Sequence, residues 1–337
     1  MNTGSTAPMP VDWPLRPRFR TSQVLTALLI GALLLVSAQR TQMDRLLQLS
    51  AGAIVSAAGI GERSPVLAGF VRIGSGLWPL QIAEATPIAR LENFDRTHLP
   101  FGTDIVTRQT EKRTLDPETL QLRTESVNEE LVVERWGYLL HVIGLMAETV
   151  EIALWGTILA LILATPLAWL GARNYAPYRP LYHAARWTSS LLRSVPDLLA
   201  ALFLVLAFGF GPIAGVLALG LHTAGFLGKF FAEDIENAPS GPQDALRATG
   251  ASPIVVLRYA VLPQVLPSYV GYLQYILERN IRTATVIGIV GAGGIGQELK
   301  GRFELFDFGH VGTMLVVIFL TVVLLESLTA RLRGRLL

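Results

Sequence analysis

The chain has 337 residues, 51% of them hydrophobic and 16% charged, with a mean hydropathy of +0.45. Soluble domains carry about 25% charged residues, so this balance excludes an ordinary soluble domain and points to an integral membrane protein. The net charge of +2 is too small to suggest a nucleic-acid partner, and the absence of cysteine removes disulfides and thiolate metal sites.

A membrane-spanning helix needs roughly 20 mostly apolar residues. Residues 1–23 form an N-terminal segment carrying Arg16, Arg18 and Arg20, and the apolar run "VLTALLIGALLLVSA" follows at 24–38. A basic start, a short apolar run and small residues also describe a signal peptide, but the further spans downstream favour a retained first transmembrane helix. Residues 39–135 read as an external insert, apolar at its start and polar through "TRQTEKRTLDPETLQLRTESVNEELVVERW". External loops often carry function, so the insert is a candidate docking surface for an outside partner. An amphipathic helix over about 136–149 is expected at the interface.

Five more spans follow, over 152–171, 184–210, 211–231, 264–290 and 311–330. The second of these carries Arg186, Arg193 and Asp197, and the fourth carries Glu278, Arg279 and Arg282. The expectation is an all-α integral membrane protein with about six transmembrane helices, its core over 136–337 and an external insert after the first helix. Arginine marks the cytoplasmic side of short loops. Arg16, Arg18 and Arg20, then Arg173 and Arg179, then Arg247 and Arg258, and finally Arg331, Arg333 and Arg335 fall on one side if there are six spans. Both termini are therefore expected in the cytoplasm, with Lys300 and Arg302 as exceptions accompanied by Glu298, Glu304 and Asp307.

The loop over 233–263 is the most informative stretch. Pro239, Gly241 and Pro242 should stop one helix, Asp244 could cap or begin the next, and "DALRAT" is strongly helical. Gly250 permits a turn that other residues resist. Ser252 is an N-cap candidate with Pro253 at the first helical position, and Pro263 is expected to end the short helix "IVVLRYAVL". The reading is a folded helix–turn–helix outside the bilayer, with an apolar face that needs something to pack against.

Asp244, Ala245, Gly250, Leu262 and Pro263 resemble the coupling-loop signature of binding-protein-dependent ABC importer permeases, Glu-Ala-Ala, three residues, Gly, nine residues, Ile-x-Leu-Pro. Asp244 stands for Glu, Leu246 for the second Ala and Ala260 for Ile; all three changes are mild. "LRSVPDLLAALFL", "GPIAGVLALGLHTAGFLGKFFAEDIE" and "NIRTATVIGIVGAGGIGQEL" are further similar to the phosphonate, phosphite and phosphate branch of type I importers, from about 140 to 337. The insert at 62–135 has no such match. The resemblance implies a permease that seats Asp244, Ala245 and Gly250, with Leu262 and Pro263, against a separate ABC ATPase dimer. It implies an external substrate-binding protein that delivers a phosphorus oxyanion, and a bacterial inner-membrane location. Two copies related by two-fold symmetry are the simplest arrangement.

"IGIVGAGGIGQEL", 287–299, satisfies G-x-G-x-x-G through Gly291, Gly293, Gly294 and Gly296. A dinucleotide site also needs a preceding strand, a second strand and an acid about 20 residues on. No second strand follows here, so the nucleotide reading is rejected. Close helix approach, with Ala292 and Gly296 at four-residue spacing, or a broken helix lining a cavity explains the glycines instead. No G-x-x-x-x-G-K-[ST] occurs, since "GFLGKF" at 225–230 is too short. The chain therefore binds no cofactor on this reading, and ATP and Mg belong to the partner ATPase.

Charges inside spans mark a pathway or pair with one another. Glu278, Asn280 and Arg282 form the first candidate path group, with Glu278 and Arg282 four apart and able to pair. Arg193 and His222 form the second; Arg193 lies four before Asp197, and His222 seven before Lys229. Arginine could attract an anion here. The competing readings are a stand-alone secondary transporter or channel, which would need inverted repeats or a carboxylate relay not evident here, and the rejected oxidoreductase.

Overall fold

The computed structural model describes residues 21–59, 64–91, 96, 102–115 and 122–336. The expectations placed on Arg16, Arg18 and Arg20 lie outside these residues. Two compact units divide the chain, residues 1–74 and 75–337.

The first unit carries α1 (Thr21–Arg40) and α2 (Met43–Ala57), bent by 65° at a short break where Gln42 takes a left-handed backbone. Twenty residues of α1 make about 30 Å of helix, the thickness of a bilayer core. The helix over 43–57 was not foreseen, because its small residues and scattered polar groups blur the apolar run. A third helix, α3 (Pro65–Leu77), leads into the second unit.

The second unit begins with a sheet that the residue pattern did not announce. β1 (Glu84–Pro87), β2 (Thr103–Leu115) and β3 (Leu122–Glu134) pair antiparallel in the order β1-β3-β2, with Thr103 opposite Glu134 and Leu115 opposite Leu122. The two long strands are rich in charged residues on both faces, so the two-residue apolar alternation of a half-buried strand is missing. Val132 is buried, near the end of β3 where α4 begins.

α4 (Gly137–Gly171) is one continuous helix of 35 residues, about 52 Å long. The expected interfacial helix over 136–149 and the span over 152–171 are its two halves, since Val150 and Glu151 continue the turn without a breaker. Its buried stripe runs through Val142, Met146, Thr149, Ala153, Gly156, Ala160, Ala164 and Ala168 at spacings of three and four. Small residues there bring α7 (Pro212–Asn237) close: a Cβ on Gly156 would lie 2.9 Å from Leu219 Cβ.

The expected span over 184–210 is two helices, α5 (Arg179–Ser194) and α6 (Asp197–Phe208), bent by 89°. Pro196 forces this. It holds Val195 in an extended backbone and cannot donate to a continuing helix. α7 leads through α8 (Ser240–Ala248) to α9 (Pro253–Val256), a π turn (Leu257–Val261) and α10 (Leu262–Gly288). Pro263 does not end a helix, contrary to expectation. The π turn lies immediately before it and absorbs the proline's missing hydrogen bond, and Gln264 Nε2 donates to the Ala260 carbonyl at 2.5 Å. α11 (Ile295–Glu304) and α12 (Phe308–Leu336) complete the bundle. Among the described residues, four helices are long and apolar enough to span a membrane, or up to six if each bent pair counts as one span.

Candidate functional site

The end of the unit formed by the C-termini of α4 and α7 carries the loop with the coupling-type spacing. Gln243, 4% exposed, pins it. Its Nε2 donates to the carbonyls of Ala238 and Pro239, and its Oε1 accepts from the Tyr175 hydroxyl at 2.8 Å. Burial raises the Tyr175 hydroxyl above the ordinary phenol value, with nearby Arg247 opposing the shift. α8 begins at Ser240, so Asp244 stands in its middle rather than at its cap.

Asp244, Ala245, Arg247 and Gly250 are all exposed, with Asp244 and Arg247 paired at 3.3 Å. Leu246 turns inward. Gly250 takes φ +81°, its N–H donates to the Arg247 carbonyl, and the Ala251 N–H donates to the Leu246 carbonyl. This pair of bonds is a Schellman cap, which needs the left-handed backbone that glycine supplies without cost. Ser252 does occupy the N-cap of α9 in extended conformation, though its side chain makes no capping bond. Leu262 lies away from the exposed face. It lines an apolar cavity of about 510 Å³ with Leu161, Trp169, Phe231 and Tyr269, while Pro263 stays exposed. The structure thus leaves Asp244, Ala245 and Gly250 exposed and packs Leu262 against the core.

The path candidates separate. Glu278 and Arg282 pair at 2.9 Å on the outer side of α10, with half of the Arg282 side chain exposed. Asn280 points away from them, as two residues place it about 200° around a helix. It is buried, and it donates to Thr157 Oγ1 at 3.0 Å while accepting from Thr223 Oγ1 at 3.2 Å. Asn280 therefore ties α10 to α4 and α7 inside the bundle and does not face the same space as Glu278 and Arg282.

Arg193 does not pair with Asp197 and has no ion-pair partner among the described residues. Asp197 instead meets Arg279 Nη2 at 3.1 Å and His222 Nδ1 at 3.2 Å. His222 is bracketed by the Val195 carbonyl at Nδ1 and the Arg279 guanidinium at Nε2. An acceptor on one side and a donor on the other select the tautomer with the proton on Nδ1. Lys229 pairs with Glu233, not with His222. The cluster of Asp197, His222 and Arg279 joins α6, α7 and α10 at the proline bend. Sequence reasoning noted the charges of Arg279 and Asp197 within spans but could not see that they meet across 82 positions.

The glycine loop joins α10 to α11. Gly291, Gly293 and Gly294 all have positive φ. The N–H of Gly294 donates to Glu148 Oε1 at 3.2 Å, and that of Ile295 to Thr149 Oγ1 at 2.9 Å. The start of α11 does bind an anion, as helix N-termini favour, but the anion is a carboxylate of α4. Ala292 and Gly296 do not share a helix. Gly296 packs instead on Gly288 and the Thr285 carbonyl, and Ala292 lies against α7 at Gly215. Past the other end of α11, burial alone would raise the Asp307 carboxyl, yet the His310 and Arg302 contacts outweigh it and hold it below the ordinary carboxylate range. His310 Nδ1 lies 2.6 Å and Arg302 Nη1 3.1 Å from Asp307 Oδ2.

A family described as binding-protein-dependent transport system inner membrane component matches residues 154–335. A protein of Stutzerimonas stutzeri named "Putative phosphite transport system permease protein" is 50% identical over 260 residues, 77% of this chain and all of that protein. A phosphite transport system permease protein of the same organism is 43% identical over 188 residues, 56% of this chain and 68% of that one. Among solved structures, an amino acid ABC transporter chain matches with a TM-score of 0.51 at 15% identity, over 59% of this chain and 96% of that chain. That last likeness concerns the fold alone.

Proposed function

Because the chain belongs to the inner-membrane component family of binding-protein-dependent transport systems, we propose that it is the permease through which a phosphorus oxyanion enters the cell. The carrying observation is the exposed, glycine-capped α8, held at one end of the bundle by Gln243 and Tyr175 with its outer face free. Such a rigid knob suits transmission of motion from an ATPase that supplies the ATP and Mg chemistry. Asp244, Ala245, Gly250 and the exposed Pro263 form the contact; Leu262 supports it from behind after the π turn.

An external binding protein delivers the ligand, and a second copy of the chain completes the pathway in the inner membrane, with both termini cytoplasmic. The relatives named for phosphite transport support phosphite, phosphonate or phosphate as cargo. Glu278 and Arg282 are the path residues best placed for this, being polar and reachable from outside the protomer; Arg193 and His222 are secondary candidates. ATP-driven closure of the ATPase pair shifts the permease pair between inward-open and outward-open states.

The test is ATP hydrolysis by the complex reconstituted in lipid with its ATPase and binding protein, with phosphonate, phosphite and phosphate presented in turn. Stimulation by one of them identifies the cargo. Uptake that proceeds without ATP would favour the stand-alone transporter and overturn the proposal.

A further inference from the structure

The turn between α4 and α5 holds two exposed arginines, Arg173 and Arg179, whose guanidinium groups meet no carboxylate among the described residues. The turn is firmly seated: the Arg173 N–H donates to Glu236 Oε1 at 2.6 Å, and Asn174 Nδ2 donates to the Glu236 carbonyl. Tyr175 reaches Gln243 of α8. Around it lies a cavity of about 570 Å³ lined by Arg173, Ala176, Arg179, Tyr182 and His183. That volume falls within the range of about 300–1,000 Å³ found for small-molecule sites.

The charges there are unbalanced. Arg186, on the inner side of α5, is saturated by Glu233 at 3.4 Å, Glu236 at 2.9 Å and the Gly171 carbonyl at 2.8 Å. Those carboxylates are thereby engaged, Glu233 also by Lys229. Arg173 and Arg179 have neither an ion pair nor a side-chain hydrogen bond among the described residues. Among the described residues no carboxylate lines the cavity, and His183 adds a third nitrogen-bearing side chain. α5, 16 residues long, starts at Arg179, so the backbone N–H groups of Arg179 and Leu181 lie at its start, Pro180 having none and that of Tyr182 bonding to the Tyr178 carbonyl. Guanidinium groups present planar pairs of donors that fit phosphate oxygens two at a time. On the outer side of α5, Leu181, Trp187 and Leu191 are exposed, an apolar flank with the tryptophan typical of a membrane interface.

We infer that this cavity is a binding site for a phosphate group, held by Arg173 and Arg179 with His183 and the start of α5 beside them. The group can come from free inorganic phosphate or from the headgroup of an anionic phospholipid, and the chemistry of recognition is the same.

The full chain in nanodiscs of zwitterionic lipid is titrated with radiolabelled phosphate, and native mass spectrometry counts phosphatidylglycerol retained from mixed-lipid discs. R173Q/R179Q is compared with wild type, and R173K/R179K keeps the charge if the glutamine variant is poorly folded. Phosphate binding that weakens about tenfold or more in R173Q/R179Q supports the site with a soluble ligand. One phosphatidylglycerol per chain, lost in that variant without phosphate binding, supports it with a lipid ligand. Equal retention of both probes by wild type and variants overturns the inference. So does a variant altered only in its affinity for the ATPase, which would assign the arginines to that subunit.

Discussion

Gly250 after α8 and Gly291, Gly293 and Gly294 after α10 share a left-handed backbone, yet their surroundings differ completely. A Cβ on Gly250 would meet nothing within 4 Å. A Cβ on Gly294 would collide with Thr149, and one on Gly291 with Phe210. One turn is limited only by its own conformation and leaves its outer face free for a partner. The other is limited by packing, with α4, α7 and the α6–α7 connection pressed against it. Glycine alone does not say which; the neighbours do.

The sharpest way to break this comparison is Gly250→Glu. It should abolish uptake and ligand-stimulated ATP hydrolysis while membrane insertion and folding persist; normal uptake would remove the loop from coupling. Gly296→Ala should do the opposite. Its Cβ would run into the Thr285 carbonyl oxygen and the backbone of Gly288, and overpacking of this kind costs about 3 kcal/mol. Thermal unfolding in detergent should show a clear loss; an unchanged transition would mean that the loop yields more easily than its packing suggests.

A smaller contrast lies within α10. Asn280→Ala should lower stability by about 1–2 kcal/mol, the scale of interhelical hydrogen bonds in membranes, whereas Arg282→Ala should slow transport at unchanged stability and unchanged affinity of the binding protein for its ligand. If both variants alter only stability, Glu278 and Arg282 are a packing pair and not part of a path.

The smallest expected effect concerns pH. The Asp307 carboxyl is depressed in the folded state, so its contribution to stability is complete above the unfolded value of about 3.9 and is lost as pH falls below it. Asp307→Asn should therefore be less stable than wild type at neutral pH, and the difference in unfolding temperature should close in acid. A gap that does not narrow at all as the pH falls below the ordinary carboxylate range would detach Asp307 from His310 and Arg302.

Spans, the loop between α7 and α10 and the glycine cap were legible in the chain, because apolar length, proline and glycine act locally. The span read at 211–231 is α7 from its N-cap Gly211 onward, and 311–330 lie within α12, for that reason. The sheet over 84–134 was not legible, since its long strands satisfy their backbones by pairing with each other and not by burying a face. Nor was the merging of 136–149 with 152–171 into α4, where the interface helix and the span differ in solvent but not in hydrogen bonding. At the sites, local spacing relates Asp244, Ala245 and Gly250, all exposed, and pairs Glu278 with Arg282, because both relations lie within a few turns. What only the tertiary structure decided is every relation across helices. Asp197 chose Arg279 over Arg193, Asn280 turned inward to two threonines, and Glu148 filled the helix start that resembled a nucleotide loop. Such partners are selected by distance after packing, and packing is a property of the whole bundle.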